Sequence, residues 1–206
     1  MANVPTFFCW SKFGDEAGES VPGILARKEA ERDNNDGVFL WGIGSSIAPS
    51  LRELLRHEPN PKVLFTPMLS PPAQRDVKPR AVAVWHSAKT MEGLNYLVPQ
   101  HSLVTSRAEP ERTPRRHYAL VCRSDRPITR DEVGPWFDDA DVRNLRTGAL
   151  VGASQVTSVV RLMDEGRRGH KRYRVAFTAE LDPPYFVTLS NCTVLTESVE
   201  PHASTA

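Results

Sequence analysis

The chain has 206 residues, of which 40% are hydrophobic and 25% charged, values typical of a globular protein with a single domain. Its formal net charge is only +1, so overall charge does not point to a partner. No apolar run approaches the ~18 residues of a membrane span and no signal peptide opens the chain, so we expect a cytoplasmic protein without membrane partners.

The first half of the chain alternates apolar stretches with helical ones. An apolar stretch at 5–10 predicts a buried strand, and Ser20 is a suitable N-cap for a helix that runs to about Arg32. Ser50 and Glu53 have the spacing of a capping box near the start of a second helix. The predicted elements after the first helix are a strand at 37–43, a helix at 48–57, and strands at 61–69 and 80–86.

Strands dominate the second half of the chain. We therefore predict one α+β domain over 1–196, with a curved mixed or antiparallel sheet or a small β-barrel and helices on one side, and a flexible tail at 197–206. The predicted elements of this half are a mostly irregular segment at 87–116, a strand at 117–123, a short helix at 129–137, strands at 155–162, 173–181 and 186–195, and a basic hairpin tip at 163–172.

Standard signatures of cofactor and metal sites are absent from the sequence. It has no P-loop, no nucleophile elbow and no zinc-deaminase motif, and its six histidines lack metal-ligand spacing. Cys9, Cys122 and Cys192 lie far apart in apolar stretches, which favours free thiols in a reducing compartment. Cys122, beside Arg123, comes nearest to a reactive thiol, but its strand favours a core thiol. We therefore expect neither a cofactor nor a metal.

The strongest local feature is a glycine- and serine-rich turn between the predicted strand at 37–43 and the following helix. Exposed amides at such a turn favour an anion, and glycine permits close approach. Ile47 stands where a dinucleotide-binding motif has its third glycine, so a nicotinamide site is not expected. A ligand cradle and an ordinary tight turn remain the two interpretations. The candidate pocket residues here are Trp41, Gly42, Gly44, Ser45 and Ser46.

The loop after the first strand concentrates carboxylates, aromatic side chains and a lysine within ten residues, 10–19. A carboxylate there is a candidate acid, base or cation stabiliser, and a desolvated lysine is a candidate Schiff-base nucleophile. Aromatic rings would stack on a planar ligand or, alternatively, belong to the core, and a solvated acidic loop is the plainer interpretation of the charges. The candidate catalytic residues are Asp15, Glu16, Glu19 and Lys12, and the candidate pocket aromatics are Trp10 and Phe13.

Basic side chains are concentrated in the middle of the chain. Residues 51–130 carry 14 basic and 7 acidic side chains, a net +7, whereas 1–50 and 131–206 each have a net −3. Arginine binds phosphates through bidentate contacts. The basic middle segment and the basic hairpin tip at 163–172 are therefore candidates for tracking a nucleic-acid backbone, and a solvated charged face is the alternative. The candidate backbone contacts are Arg107, Arg112, Arg115, Arg116, Arg167, Arg168, Lys171 and Arg172, and the nearby polar pocket candidates are His101 and Ser102.

Two resemblances bear on these features. The β-rich second half with its strand–glycine–helix unit resembles the PUA-like group, including ASCH and EVE modules, over 37–195; this resemblance implies a small barrel that binds RNA or flipped modified bases. The Gly42–Gly44 turn, together with His101 and Ser102, is loosely similar to the active-site loops of uracil-DNA-glycosylase-like enzymes. Both resemblances imply a base held in a pocket while basic loops grip the phosphates.

We therefore expect a nucleic-acid-binding protein, with DNA favoured over RNA, that holds a flipped modified base. The leading hypothesis is a metal-independent DNA glycosylase acting in defence against phage, in which a carboxylate stabilises the sugar cation. Two alternatives remain open: a non-enzymatic reader of modified DNA or RNA, and a cofactor-independent small-molecule enzyme or binding protein with an anion cradle at Gly42–Ser46.

Overall fold

The computed structural model describes residues 4–69, 80–107, 117–129, 134–152, 155–163 and 171–195. The helices and strands in chain order are β1 (Phe7–Phe13), α1 (Val21–Asp33), β2 (Val38–Ile43), α2 (Ala48–His57), β3 (Lys62–Pro67), β4 (Arg80–Thr90), β5 (Asn95–Tyr96), β6 (Leu103–Arg107), β7 (His117–Arg123), β8 (Trp136–Asp138), β9 (Val142–Asn144), β10 (Thr157–Leu162), β11 (Arg172–Arg174) and β12 (Phe177–Val194). None of the helices in these ranges is long and apolar enough to cross a membrane.

A ten-stranded mixed sheet organises the fold, in the order β2-β7-β12-β3-β1-β10-β9, with β4 also paired to β12 and carrying β5 and β6. The β1–β3 pair is parallel and the other pairs are antiparallel. The 18-residue strand β12 is long enough to pair with β3 at its start and with β4 at its end. The α+β prediction with a curved sheet is therefore confirmed, but the sheet is not closed, so the small-barrel alternative is wrong.

The sheet has buried side chains on both faces because apolar residues alternate along its strands. In β1, Cys9 and Phe13 belong to the core under the two helices, whereas Phe8 and Trp10 point to the opposite face. A two-stranded ribbon of β8 and β11 covers that opposite face. A third core lies among β2, β4, β6, β7 and β12, with Leu40, Trp85, Val104, Val121 and Leu189.

Local signals explain the two helices. Ser20 caps α1 by accepting a hydrogen bond from the Gly23 amide at 3.4 Å. Helix α2 occupies the predicted residues, and its buried Leu51 and Leu54 lie on one face. The predicted capping box is wrong, because α2 begins at Ala48 and Ser50 therefore lies inside its first turn.

The structure differs from the predicted elements where strand pairing outweighs local preference. Strand β4 continues to Thr90, and β5 and β6 pair with it inside the segment expected to be irregular. The helix predicted at 129–137 is wrong at its end, because Trp136–Asp138 is a strand that buries Phe137 beneath the ribbon. The two strands predicted between Tyr173 and Leu195 are replaced by short β11 and one continuous β12, which is irregular between Leu181 and Phe186. The predicted tail, 197–206, lies outside the described residues.

A buried ion pair joins α1 to the two strands that the open sheet leaves unpaired with each other. Lys28 and Glu31, with side chains 3% and 0% exposed, are 2.6 Å apart. The Lys28 ammonium also donates to the Leu40 carbonyl in β2 and to the Leu103 carbonyl in β6, the latter at 2.8 Å. Glu31 Oε1 accepts from the Leu40 amide at 2.7 Å and from Ser102 Oγ at 2.6 Å. The side chains of Lys28 and Glu31 in α1 therefore hold β6 beside β2, where the two strands share no backbone hydrogen-bond ladder.

Candidate functional site

A cleft of about 610 Å³ lies where β1 and β2 end, between α1, the start of α2, β6 and β10. Its volume is within the range of small-molecule sites. The following residues singled out in the sequence line it: Lys12, Phe13, Glu16, Trp41, Gly42, Gly44, Ser45 and Ser46.

Trp41 and Phe13 form a rigid apolar wall of this cleft. Their ring centroids are 6.1 Å apart and nearly perpendicular, and Trp41 packs edge-on against Phe65 and Phe177. The Trp41 indole Nε1 donates to Ser11 Oγ at 3.0 Å, which satisfies its polar atom. Because both rings are held by the core, they form the wall of a preformed pocket and do not swing.

The two glycines of the turn have different roles. A Cβ on Gly42 would lie 2.4 Å from Val104 Cγ1 and 3.3 Å from His117 Nε2, so the missing side chain allows β6 and β7 to close over β2. A Cβ on Gly44 would meet nothing within 4 Å, so this residue leaves open space at the cleft. The absence of a side chain at Gly42 therefore allows the strands to pack, and the absence of one at Gly44 leaves the cleft entrance open.

Replacing Gly42 with alanine should lower the free energy of unfolding by about 1–3 kcal/mol, because Val104 has to move within a packed core. Gly44→Ala is the matched control and should change it by less than about 0.5 kcal/mol. Urea unfolding of both variants measures the difference. Equal effects of the two substitutions would contradict the packing role of Gly42.

The start of α2 lies at one end of the cleft. Ile47 occupies the N-cap position without a side-chain cap, and the Ala48 amide donates weakly to Ser46 Oγ at 3.4 Å. The turn residues and Ser50 line the cleft at this end. Because Pro49 has no N–H and the Ala48 amide already donates to Ser46 Oγ, the start of α2 offers an anion few backbone donors.

Cationic side chains outnumber carboxylates around the cleft. Among the described lining residues, the cations are Lys12, Arg27, Lys28, Arg80 and Arg146, and Glu16 is the one carboxylate. Glu16 pairs with Arg80 at 3.0 Å, and both side chains remain partly exposed at the mouth. Arg27 is bidentate on Glu19, with contacts of 2.7 and 2.8 Å. Arg27, Lys28 and Arg80 are each paired with a carboxylate, so Arg146 carries the positive charge that the cleft offers an anionic ligand.

His117, which sequence reasoning did not select, presents an unsatisfied polar atom beside Gly42. Its ring stacks on Trp85 with centroids 5.7 Å apart. Burial, with Arg80 nearby, lowers the pKa of His117 to about 4, so the ring is neutral at pH 7. Its Nε2 is buried and has no hydrogen-bond partner among the described residues. The ring therefore offers a ligand an unused hydrogen-bonding atom.

Lys12 is desolvated, but its ammonium lies on the ribbon side of β1. Burial, with Lys171 nearby and partly offset by Asp139, lowers the pKa of Lys12 to about 8. The ammonium is 4.4 Å from the Trp10 ring centroid and 3.5 Å from the Gly152 carbonyl. The desolvation that a nucleophilic lysine requires is present, and this side chain also stabilises the core behind the cleft.

Other predicted residues are not part of the cleft. Trp10 is buried on the opposite face of the sheet, where its Nε1 donates to Thr66 Oγ1 at 2.9 Å. Asp15 Oδ1 accepts from the Val21 amide at 2.9 Å, so it caps α1. His101 is exposed with a φ of 59°, whereas Ser102 is buried on Glu31. The carboxylates Asp15, Glu16 and Glu19, which are equivalent candidates in the sequence, therefore have different partners in the structure.

The predicted backbone contacts fall in three groups. Lys171 and Arg172 lie at the ribbon, Lys171 just before β11 and Arg172 on its outer face. Arg107 ends β6, and its side chain lies outside the described part of the structure. The remaining candidates are outside the described residues: Arg112, Arg115, Arg116, Arg167 and Arg168.

The buried cysteines are core thiols. Burial raises the pKa of Cys9 to about 12 and also raises the pKa of Cys122, which disfavours the reactive thiolate. Within the described ranges, no group of three or more His, Cys, Asp or Glu side chains is placed to hold a metal ion.

Comparison with known proteins adds no assignment to this geometry. No family model, no curated protein and no solved structure matches the chain.

Proposed function

We propose that the protein binds nucleic acid and holds one extruded, modified base in the cleft beside Trp41. The composition of the cleft supports this proposal: it combines an apolar wall, a His117 Nε2 without a partner among the described residues, and the exposed Arg146. Base extrusion needs a pocket that replaces stacking with apolar contact and pairs the base edge with polar groups.

The polar groups of the cleft suit a base with its phosphate. Thr105, Asn144 and Gln155 line the cavity with side chains that form hydrogen bonds to a heterocycle edge. The exposed Arg146 suits the phosphate. A cavity of about 610 Å³ has room for a substituted base with its sugar.

The chemistry that fits this site is hydrolysis of the N-glycosidic bond. Glu16 is the carboxylate among the described lining residues, so it is the group placed to stabilise a sugar cation or orient water. A non-enzymatic reader would bind the base in the same pocket without cleaving its bond to the sugar. Measurement of base release distinguishes this reader from a glycosylase.

A cleft-filling substitution tests the binding proposal. Gly44→Leu should fill the entrance without destabilising the fold, because a Cβ there meets nothing within 4 Å. We expect at least about a tenfold loss of the preference for hypermodified phage DNA over unmodified DNA, measured by fluorescence anisotropy. Asn95→Leu is the control, since this exposed, uncharged residue of β5 does not line the cleft.

Two results would contradict the proposal. Gly44→Leu with the wild-type preference would show that the cleft does not read the base. Equally tight binding of a free nucleotide, without affinity for any DNA or RNA, would favour the small-molecule alternative.

A further inference from the structure

The ribbon of β8 and β11 has two faces of different chemistry. Its register pairs Arg172 with Asp138, Tyr173 with Phe137 and Arg174 with Trp136. Phe137 and Tyr173 face inward and pack against Trp10. The alternate residues therefore form the outer face, Trp136, Asp138, Arg172 and Arg174.

Trp136 is exposed in a way that the other tryptophans are not. Its side chain is 50% exposed, compared with 1% for Trp10, 7% for Trp41 and 3% for Trp85. A large ring left half in water is typical of a binding surface rather than of a core.

Two guanidinium groups flank this ring. The Arg172 guanidinium lies 5.5 Å and the Arg174 guanidinium 5.7 Å from the Trp136 ring centroid. Arg174 Nε is buried and lacks a hydrogen-bond partner among the described residues. Asp138 shares this face, but its Oδ1 accepts from the Ala140 amide at 3.0 Å and so caps the turn after β8. The face thus combines an aromatic ring with two guanidinium groups.

We propose that the outer face of the ribbon binds single-stranded nucleic acid, with a base stacked on Trp136 and the adjoining phosphate on Arg172 and Arg174. Base–aromatic stacking with cationic backbone contacts is how proteins bind single strands irrespective of sequence. A duplex does not expose base faces for such stacking, so the surface selects unpaired nucleotides. This inference rests on the proposed function, and it specifies the strand state of the nucleic acid.

The ribbon and the cleft are connected through β1. Lys12 lines the cleft, and its ammonium lies 5.7 Å from the ring centroid of Tyr173, which is on the inner face of β11. Lys12 therefore contacts both the cleft and the inner face of the ribbon.

Intrinsic fluorescence tests this inference directly, because Trp136 is the exposed tryptophan of the four. Titration with single-stranded oligothymidylate should quench emission of the wild-type protein, and Trp136→Phe should abolish the quenching. Trp136→Leu should weaken binding about 5- to 150-fold, with Trp136→Phe retaining part of the affinity. Arg172→Gln and Arg174→Gln should each reduce the slope of log affinity against log salt by about 0.7.

The control substitution is Leu97→Ala, which removes an exposed apolar side chain away from the ribbon and should leave binding unchanged. Wild-type affinity and quenching in the Trp136 variants would overturn the inference, as would equally tight binding of duplex DNA or displacement of the oligonucleotide by polyglutamate. Binding of modified DNA that depends on Gly44 but not on Trp136 would overturn this inference alone. Absence of any nucleic-acid binding by the wild-type protein would overturn the proposed function as well.

Discussion

Replacing Glu31 with glutamine should lower the free energy of unfolding at pH 7 by about 3–5 kcal/mol. The substitution retains the shape of the side chain but leaves the buried Lys28 ammonium without its counter-charge. Glu31 also accepts hydrogen bonds from the Leu40 amide and Ser102 Oγ, so the network that connects β2 and β6 weakens with it. Denaturant unfolding monitored by circular dichroism measures the loss.

The loss should depend on pH in a defined direction. Burial lowers the pKa of Lys28 to about 8 from an ordinary value of 10.5, with Glu31 opposing this shift. Between these values the unfolded state binds more protons than the folded state, so stability rises with pH. Removing Glu31 lowers the pKa of Lys28 further and moves the start of this rise to lower pH. The deficit of Glu31→Gln should therefore shrink as the pH is raised from 7 toward 10, and a constant deficit would contradict the mechanism.

Two further variants isolate the ion pair. The double substitution Lys28→Gln with Glu31→Gln removes both charges together but keeps polar side-chain atoms for the Leu40 amide and Ser102, and it should be less destabilising than Glu31→Gln alone, because no buried charge is left uncompensated. Glu53→Gln removes an exposed carboxylate of α2 that pairs with Arg56, and it should change stability by less than about 0.5 kcal/mol. A loss below about 1 kcal/mol in Glu31→Gln would show that the pair is dispensable.

Elements set by short-range signals are predictable from this sequence. The spacing of Leu51 and Leu54 defines the buried face of α2, and a continuous apolar run within His117–Arg123 predicts β7, which matches its predicted limits. Elements that form only by pairing with a distant strand are not predictable in this way. The stretch at Trp136 has no decisive local pattern, and it becomes a strand because Phe137 packs 5.2 Å from the Trp10 ring and β11 supplies a ladder. The same holds for β5 and β6, which exist through their pairing with β4.

The residues of the candidate site likewise fall into those that local sequence reveals and those that only the tertiary structure brings together. The turn at Gly42 and Gly44 stands out locally because a strand, two glycines and a helix follow one another. His117 cannot be recognised from local sequence, because its position beside Gly42 results from the pairing of β2 with β7. Lys28 and Glu31 have the spacing of an ordinary surface pair, and burial under β2 and β6 is visible only in three dimensions.

The carboxylates of the first loop show why partners matter more than residue type. In sequence, Asp15, Glu16 and Glu19 are equivalent candidates for catalysis. Asp15 caps α1, and Glu19 accepts hydrogen bonds from Nε and Nη2 of Arg27. Glu16 faces the cleft, with Arg80 as its partner at the mouth.

Release of a free base from hypermodified DNA should consequently depend on Glu16. Glu16→Gln should reduce the rate by about 10²–10⁴-fold, because the amide neither stabilises a sugar cation nor activates water. Mild alkali reveals the abasic sites and mass spectrometry identifies the base. Affinity for the modified DNA should change little in this variant, since the apolar wall at Trp41 and the polar atom of His117 remain.

Asp15→Asn is the matched control for Glu16, because the neighbouring carboxylate only caps α1 and an amide oxygen accepts the same hydrogen bond from the Val21 amide. It should retain the wild-type rate. Equal rates in Glu16→Gln and the wild-type protein would remove Glu16 from the chemistry. Tight, Gly44-dependent binding of modified DNA without base release by the wild-type protein would identify a reader, because the pocket would then stabilise the extruded base but not the cleavage of its bond to the sugar.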